Sequence, residues 1–355
     1  MKTKLKVLLS VALGIGLVAL WLRIVDFGMM VGMLSRLRPW LLIPMTAVFL
    51  ASYVLRSLRF KIVLSPVQKI SAAESFHLCM TNHLVNFLVP IHAGEAAKCA
   101  LVKQMKGTPL SQTLLTSYLD KAADLLPIFL VLVTAPFLER RIGSVIYLVS
   151  GILAGILAAV ALILVFFFNR REKAPALVDK LLFFFPRWVR RKVRRLAELF
   201  AGGLSSLPLL RRRVPEILGL TVAAFAFQAL FMGMFFDAFG LRLPPLTVFI
   251  ACALMNSSFL LPAPPGFSGS MELIFVFIFS YLYGYDKNLT SAVAASSHVF
   301  AAVMFGLFGF IALGFLGTRL SAVFKMGAEE NAVDDGAPPG AGPGRVANPQ
   351  GGGAR

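Results

Sequence analysis

Acidic residues and cysteines are both scarce in this chain. Its 355 residues include 17 Asp or Glu against 35 Lys or Arg, which gives a formal net charge of +18. The three cysteines, Cys79, Cys99 and Cys252, lie in or near apolar segments and have neither paired nor metal-ligand spacing. We therefore expect no disulfide framework, no metal site and no cofactor.

The excess of positive charge is concentrated in one segment. Residues 170–213 carry 13 Lys or Arg against three acidic residues, and they lie between apolar runs. This pattern is typical of a cytoplasmic loop beside anionic lipid, here about residues 169–215, so a nucleic-acid partner is not expected. Within the loop, RWVRRKVRRLAELF (187–200) places apolar residues at helical spacing on a basic surface. That spacing predicts an amphipathic helix on the cytoplasmic leaflet.

Hydrophobic residues make up 58% of the chain. Several apolar runs reach the roughly 20 residues that a helix needs to cross a bilayer. Only helices and closed barrels satisfy their backbone in lipid, and these runs are too long for barrel strands. We therefore predict an all-α polytopic membrane protein. The six predicted full spans lie at about 7–25, 40–55, 110–138, 142–168, 217–241 and 290–316.

The charges that flank these runs predict the orientation. Basic residues precede the first run, which lacks a clear signal-peptide cleavage site and is interpreted as an uncleaved span. The positive-inside rule then puts both termini in the cytoplasm, with the protein in the plasma (inner) membrane. Residues 1–325 form the predicted membrane domain. The Gly/Pro-rich residues 326–355 cannot bury a core and are predicted to be disordered.

Two further apolar stretches, at about 72–105 and 246–283, are interrupted by Pro and Gly. NFLVPIHAGE (86–95) in the first is echoed by SFLLPAPPGFSGSME (258–272) in the second. If the first stretch crossed the membrane once, the basic loop would lie outside the cytoplasm, against the positive-inside rule. The loop is cytoplasmic if each stretch either enters and returns on one side or crosses twice. Two re-entrant hairpins that enter from opposite sides fit best. Such a pair indicates an inverted-repeat transporter, and its half-helix N-termini attract anions. The candidate substrate-binding residues in these stretches are Asn86, His92, Gly94, Glu95, Lys98, Gly266, Gly269 and Glu272, and His298 of the last span is a further candidate.

A third polar group lies in LTSYLDKAADLLPIF (115–129). Asp120 and Asp124 are one helical turn apart, and Lys121 is three residues before Asp124. Charges in a membrane helix are costly unless they face a partner or a cavity. These residues are therefore predicted to form structural ion pairs, a substrate or proton site, or both. Arg59 and Lys98 are expected at the cytoplasmic mouth of the protein, where they could engage a head-group phosphate.

The ordered set of these motifs resembles a known family. RSLRF, NFLVPIHAGEAAK, LDKAADLL and PGFSGSME occur in the order seen in the flippase-like membrane domain of lysylphosphatidylglycerol synthases and their stand-alone relatives. The family pattern is R-x-x-R-F, G-N-x-L-L-P-A-R-x-G-E, L-D-R-x-x-D and P-G-G-x-G-x-x-E, and the likeness covers nearly all of residues 1–320. It implies a domain that moves lipids with anionic head groups, such as aminoacylated phosphatidylglycerol or polyprenyl-phosphate carriers, between leaflets. The synthases' aminoacyl-transfer domain has no counterpart in the sequence, so we do not expect an enzyme.

The chain departs from the family pattern at four positions. His92 stands where the first hairpin of the family has Arg, and Lys121 replaces the Arg that follows an Asp. Met271 takes the place of the Arg before Glu272, and an Arg of the last span falls near His298. Titratable or uncharged groups thus replace permanently charged ones, which favours a proton-linked mechanism that uses His92 and His298.

Two other classes of protein stay open. GFSG (266–269) is also the G-x-S-G of rhomboid-type intramembrane serine proteases, in which a later His would activate Ser268, and His298 is a candidate. However, rhomboids place another span between these two residues. The second alternative is a structural or regulatory membrane subunit. No oligomeric state follows from the sequence.

Overall fold

A computed structural model describes residues 15–24, 26–34, 38–89, 93–138, 210–258 and 264–318, with residues 147, 148, 151, 152, 155, 158 and 320 as isolated positions. Across these ranges the chain is helical and contains no β-strand. The predicted all-α class is thereby confirmed. The basic loop with its amphipathic helix, most of the predicted span 142–168 and the tail 326–355 lie outside the described residues.

Ten helices build the described part of the chain. They are α1 (Ile15–Ile24), α2 (Phe27–Leu34), α3 (Leu42–Leu64), α4 (Ala72–Leu88), α5 (Gly94–Lys106), α6 (Leu110–Leu138), α7 (Val214–Ala238), α8 (Pro245–Ser258), α9 (Ser270–Phe275) and α10 (Lys287–Phe315). Short 3₁₀ turns precede α3, α7 and α9, at Pro39–Leu41, Arg211–Arg213 and Pro265–Phe267. The helix α9 runs on as a π-helix over Val276–Leu282.

Four helical segments of the described residues are long and apolar enough to cross a membrane. They are Pro39–Leu64, Gln112–Leu138, Arg211–Ala238 and Lys287–Phe315. These match four of the six predicted spans, and the predicted first span contains the shorter apolar helix α1. The second span differs from its prediction at about 40–55, because α3 continues to Leu64. Arg56 and Arg59, which follow the predicted span, meet carboxylates within the protein, so α3 does not have to end at them.

Each Pro/Gly-broken stretch forms two helices joined by a break. In the first stretch α4 ends at Leu88 and α5 begins at Gly94. In the second, α8 ends at Ser258 and α9 begins at Ser270. Glu95 and Glu272 both lie in the first turn of the helix that follows the break. The sequence repeat therefore corresponds to a repeated helix–break–helix arrangement, whereas its re-entrant course in the membrane stays a prediction.

The last long helix, α10, has an exposed apolar stripe on one side and packs against α4 on another. Its exposed apolar side chains Val299, Val303, Leu307 and Phe310 recur at about one-turn intervals along one stripe. The same helix approaches α4 closely at Gly309, where an added Cβ would lie 2.6 Å from the Leu84 Cβ. The exposed stripe suits contact with lipid, while the glycine allows the backbones to pack together.

The N-terminal helices also pack on α10. The indole Nε1 of Trp21 in α1 donates to the Ser291 hydroxyl at 3.2 Å, and the Asp26 amide donates to the Asn288 side-chain oxygen at 3.0 Å. In addition, α1 lies against the break before α9, because a Cβ on Gly269 would meet the Val18 backbone nitrogen at 2.5 Å. The first and last described helices thus close the fold together.

The contact at Gly309 gives a test of this packing. We expect Gly309→Ala to destabilise the protein by about 1–3 kcal/mol, because the added methyl group overlaps Leu84 on α4. The matched control is Gly306→Ala on the same helix, where an added Cβ meets nothing within 4 Å. Thermal unfolding in detergent measures both. Equal melting temperatures for the two variants would contradict the close approach of α4 and α10.

Candidate functional site

The first hairpin is fixed at the end opposite its break. Ser71 caps α4 through the Glu74 amide, and the Glu74 carboxylate accepts from the Ser71 amide in return. The same carboxylate lies 2.7 Å from the Lys106 Nζ at the end of α5. The Lys106 ammonium and the Ser71 amide lower the pKa of Glu74. The two helices are therefore held together at the edge of the hairpin.

At the break itself, two asparagines of α4 hold the start of α5. The Gly94 amide donates to the Asn86 Oδ1 at 2.7 Å, and the Asn86 Nδ2 donates to the Asn82 Oδ1 at 3.2 Å. Gly94 is required here because a Cβ would lie 2.2 Å from the Asn82 backbone oxygen. The amide of Gly94, at the N-terminus of α5, is thus engaged within the protein. Pro90 and His92 lie outside the described residues.

Glu95 is the centre of a group of polar side chains that we call the Glu95 cluster: Asn82, Glu95, Lys98, Ser117 and Lys121. Its carboxylate accepts from the Asn82 Nδ2 at 3.0 Å and from the Ser117 hydroxyl. The Nζ atoms of Lys98 and Lys121 lie 2.8 and 3.1 Å from its oxygens. Lys98 is buried and also lies 4.1 Å from the centre of the Phe60 ring, a cation–π contact.

A second group, the Arg59 cluster, joins α3 to α6 and consists of Arg56, Arg59, Asp120 and Asp124. The Arg59 guanidinium donates to the Asp120 Oδ1 through Nε and to the Asp124 Oδ1 through Nη1, both at 2.7 Å. Arg56 donates to the same oxygen of Asp124 at 2.6 Å. Arg59 is 1% exposed, so this guanidinium is fully desolvated and held by its two carboxylates.

Polar side chains extend the Arg59 cluster toward the second hairpin. The Arg56 Nη2 donates to the Gln228 Oε1 on α7 at 2.6 Å. Gln228 in turn donates through Nε2 to the Asn256 Oδ1 on α8 at 3.2 Å. Sequence reasoning missed Gln228 and Asn256 as site residues. A signal was present, since each is an isolated amide in an otherwise apolar helix, where polar groups mark interhelical contacts.

In the second hairpin the carboxylate pairs with histidine. The Glu272 Oε1 lies 2.5 Å from the Nδ1 of His298 on α10, and the Nε2 of the same ring lies 2.6 Å from the Gly266 carbonyl oxygen. We call these two residues the Glu272 pair. The Phe87 ring of α4 meets the His298 ring edge-on with centroids 5.8 Å apart. The second break therefore lies against the end of the first hairpin's α4.

The predicted site residues thus separate into three neighbouring groups. The first break brings together Asn86, Gly94, Glu95, Lys98 and Lys121. The space between α3 and α6 holds Arg59, Asp120 and Asp124. The second break brings together Gly266, Glu272 and His298. Gly269 packs against α1, and His92 lies outside the described residues. Arg59 and Lys98 are buried and ion-paired, and their position at the cytoplasmic mouth stays a prediction. Arg56, Asn82 and Ser117 join the set, although sequence reasoning did not select them as site residues.

The charges of the Arg59 and Glu95 clusters do not cancel. The described side chains of the two clusters comprise four cations and three carboxylates, so these seven groups carry one net positive charge: Arg56, Arg59, Lys98 and Lys121 against Glu95, Asp120 and Asp124. The side chain of Lys121 is 45% exposed, against 18% for Arg56, 2% for Lys98 and 1% for Arg59. The uncompensated charge is therefore most accessible at Lys121, next to the first break.

Apolar spanning helices around buried charge clusters define the class of this protein: it is a multi-pass α-helical membrane protein. The sequence model of the lysylphosphatidylglycerol synthase TM region matches residues 7–317. The chain belongs to this family. No curated protein and no solved structure gives a significant match to the chain.

The Arg59 cluster leads to a prediction about stability. We expect Arg59→Met to lower the free energy of unfolding by about 3–5 kcal/mol, because it strands Asp120 as a buried carboxylate without its cation. Adding Asp120→Asn should restore part of the loss, since Asp124 still has Arg56. Denaturation in detergent of the single and double variants measures this. A double variant less stable than Arg59→Met would contradict the pairing.

Proposed function

We propose that this protein is a transporter that moves a lipid with an anionic head group between the leaflets of the plasma membrane, with both termini in the cytoplasm. It acts without a cofactor and is not an enzyme. The observation that carries the proposal is the single uncompensated positive charge of the Arg59 and Glu95 clusters, accessible at Lys121. A head group with one negative charge would balance it.

The cost of these charges supports a role beyond stability. Buried ion pairs are often no more stabilising than apolar residues of similar size, because desolvation offsets much of the Coulomb attraction. Seven charged side chains in a membrane domain therefore contribute little more to stability than apolar residues would. Intramembrane charges commonly mark the path of an ion or substrate. The clusters have the composition of a substrate site whose groups pair with one another until an anion arrives.

Lys121 is the group best placed to receive that anion. Its ammonium makes one ion pair, with Glu95 at 3.1 Å, which is the longest in the cluster. Lys98 shares the same carboxylate at 2.8 Å, so Glu95 keeps a cation when Lys121 turns away. A phosphate at Lys121 would then gain a charge-assisted hydrogen bond without leaving a buried carboxylate unpaired.

The two helix breaks support a path for the lipid head group between the two broken stretches. Broken helices that meet near the midplane form the substrate sites of inverted-repeat transporters. Here Phe87, just before the first break, contacts both His298 and the region of Gly266 in the second break. We propose that both broken stretches are re-entrant hairpins and that the lipid head group passes between them while its chains stay in the bilayer.

The protease alternative requires His298 as the base for Ser268. Both ring nitrogens of His298 instead contact Glu272 and the Gly266 carbonyl. A base with no free nitrogen cannot take the serine proton, so this geometry does not favour hydrolysis. A structural or regulatory subunit is the alternative that the transport experiment decides.

The test is leaflet exchange of fluorescent lipids in proteoliposomes made with purified protein. We expect a labelled phosphatidylglycerol, a monoanionic lipid, to exchange faster than the zwitterionic phosphatidylcholine. Lys121→Gln should slow this exchange by roughly ten- to a hundredfold, the range that corresponds to one charged hydrogen bond. The matched control is Lys103→Gln on α5, which removes an exposed positive charge outside the clusters.

The outcomes separate the readings. Slowing by Lys121→Gln but not by Lys103→Gln supports an anion site at Lys121. Equal slowing by both substitutions would indicate a general effect of surface charge. If folded wild-type protein exchanges both phosphatidylglycerol and phosphatidylcholine no faster than protein-free liposomes do, the result would reject the transporter and favour the subunit.

A further inference from the structure

We infer that Glu272 and His298 form a proton-binding site, whose loaded state holds the second helix break against α10 and couples lipid movement to proton movement. The coupling rests on the proposed function, whereas proton binding at the pair does not. The site takes a proton as its ligand, and His298 lies against Phe87 of α4, the helix that also carries Asn82 of the Glu95 cluster.

The hydrogen-bond geometry fixes the number of protons in the Glu272 pair. The Gly266 carbonyl oxygen can only accept, so the His298 Nε2, 2.6 Å away, must carry a hydrogen. Across the 2.5 Å contact between Nδ1 and the Glu272 Oε1, one proton must then lie between the two atoms. It belongs either to the imidazole or to the carboxyl group, and the pair is neutral overall in both cases.

Loss of this proton would destroy one of the two contacts. The neutral imidazole has one hydrogen for two acceptors, and the charged carboxylate is the stronger acceptor, so the hydrogen would lie on Nδ1 and the Nε2 lone pair would face the Gly266 carbonyl oxygen at 2.6 Å. Two acceptors repel at that distance, and the carboxylate would also be buried with no cation beside it. The closed arrangement therefore exists only with the proton bound.

The second oxygen of the carboxyl group points to the same conclusion. Glu272 is 6% exposed, and its Oε2 has no hydrogen-bond partner in the described part of the chain. An ionised carboxylate would leave a charged oxygen unsatisfied there, which is more costly than an unpaired carbonyl oxygen. Without the proton this oxygen would belong to a buried carboxylate that has no cation beside it, whereas Glu95 lies among two lysines and two further donors.

No other charged group competes for the pair in the described residues. The α4 helix contributes the Phe87 ring, while its His83 stacks on Phe305 with centroids 5.2 Å apart. At the break, α1 contributes Leu17 and Val18 against Gly269. Of α8, which packs on α9, the titratable side chain is the buried thiol of Cys252. The proton of the Glu272 pair is therefore set by Glu272 and His298 themselves, with His92 outside the described residues.

The segment that the pair holds is under backbone strain. Gly266 and Phe267 have positive φ values of 63° and 55°, and for Phe267 this left-handed conformation is unfavourable. The π-helical segment Val276–Leu282 that follows α9 is a further departure from regular geometry. Release of the proton would free the Gly266 carbonyl from His298 and let this strained break relax away from α10. The bound proton thus determines whether the second break, which forms one side of the substrate path, stays against α10.

The first arm of the test measures proton binding without any lipid. Infrared difference spectra of purified protein across pH should show a band of the proton-loaded pair, either a carboxyl band or an imidazolium band, that is absent or shifted in Glu272→Gln. The matched control is Glu216→Gln on α7, whose carboxylate is half exposed, and the band should persist in this variant. If Glu272→Gln does not fold, His298→Gln provides the same test, because the band should shift when its imidazole partner is removed. A band unchanged in every variant that folds would overturn the inference.

The second arm measures coupling in proteoliposomes with an imposed pH gradient. With one proton per lipid, a gradient of one pH unit can hold at most about a tenfold excess of labelled anionic lipid in one leaflet. We expect wild-type protein and the control Glu216→Gln to approach this excess and Glu272→Gln to hold no excess. Exchange by the wild type without accumulation would overturn the coupling. An absence of exchange would instead reject the proposed function, and the infrared band would still decide the proton site.

Discussion

A charge inside a membrane domain needs an opposite charge within a few ångströms, and Arg59 meets this need for two carboxylates at once. This one guanidinium joins α3 to α6, and its hydrogen bond to Thr221 at 3.2 Å adds α7. Phe60, the next residue, carries the cation–π contact with Lys98, so the same turn of α3 also supports the Glu95 cluster. The positions of the first hairpin and of the charged part of α6 therefore both depend on a side chain that is itself fully buried.

The two broken stretches show how one helix–break–helix arrangement can carry two kinds of electrostatics. Glu95 and Glu272 occupy the first turn after their breaks, where the helix dipole favours negative charge. Glu95 is surrounded by lysine ammonium groups and polar donors, which suits a permanent carboxylate. Glu272 has a single titratable partner in the described residues and one oxygen without a hydrogen bond. One repeated helix–break–helix arrangement thus holds a carboxylate among lysines at the first break and a carboxylate beside a histidine at the second.

Much of this organisation could be predicted from local sequence features, because membrane spans depend on long apolar runs and helix breaks depend on Pro and Gly. The helix boundaries at Leu88 and Gly94 follow from such features. The partners of the charges could not be predicted, because they are set by packing between distant helices. Arg56 and Arg59 resemble residues that end a span beside water, yet α3 continues past them since Asp120 and Asp124 lie opposite. The contact of Glu272 with His298, 26 residues away, likewise depends on how α9 packs against α10.

The packing of α1 on α10 has a consequence for how the protein is assembled. The Trp21 indole and the Asp26 amide find their partners 270 and 262 residues further along the chain. Membrane helices enter the bilayer in the order of their synthesis, so these polar groups lack their native partners until α10 has been inserted. These contacts close loops of 270 and 262 residues, which is costly in chain entropy. The packing of α1 is therefore completed only when α10 is present.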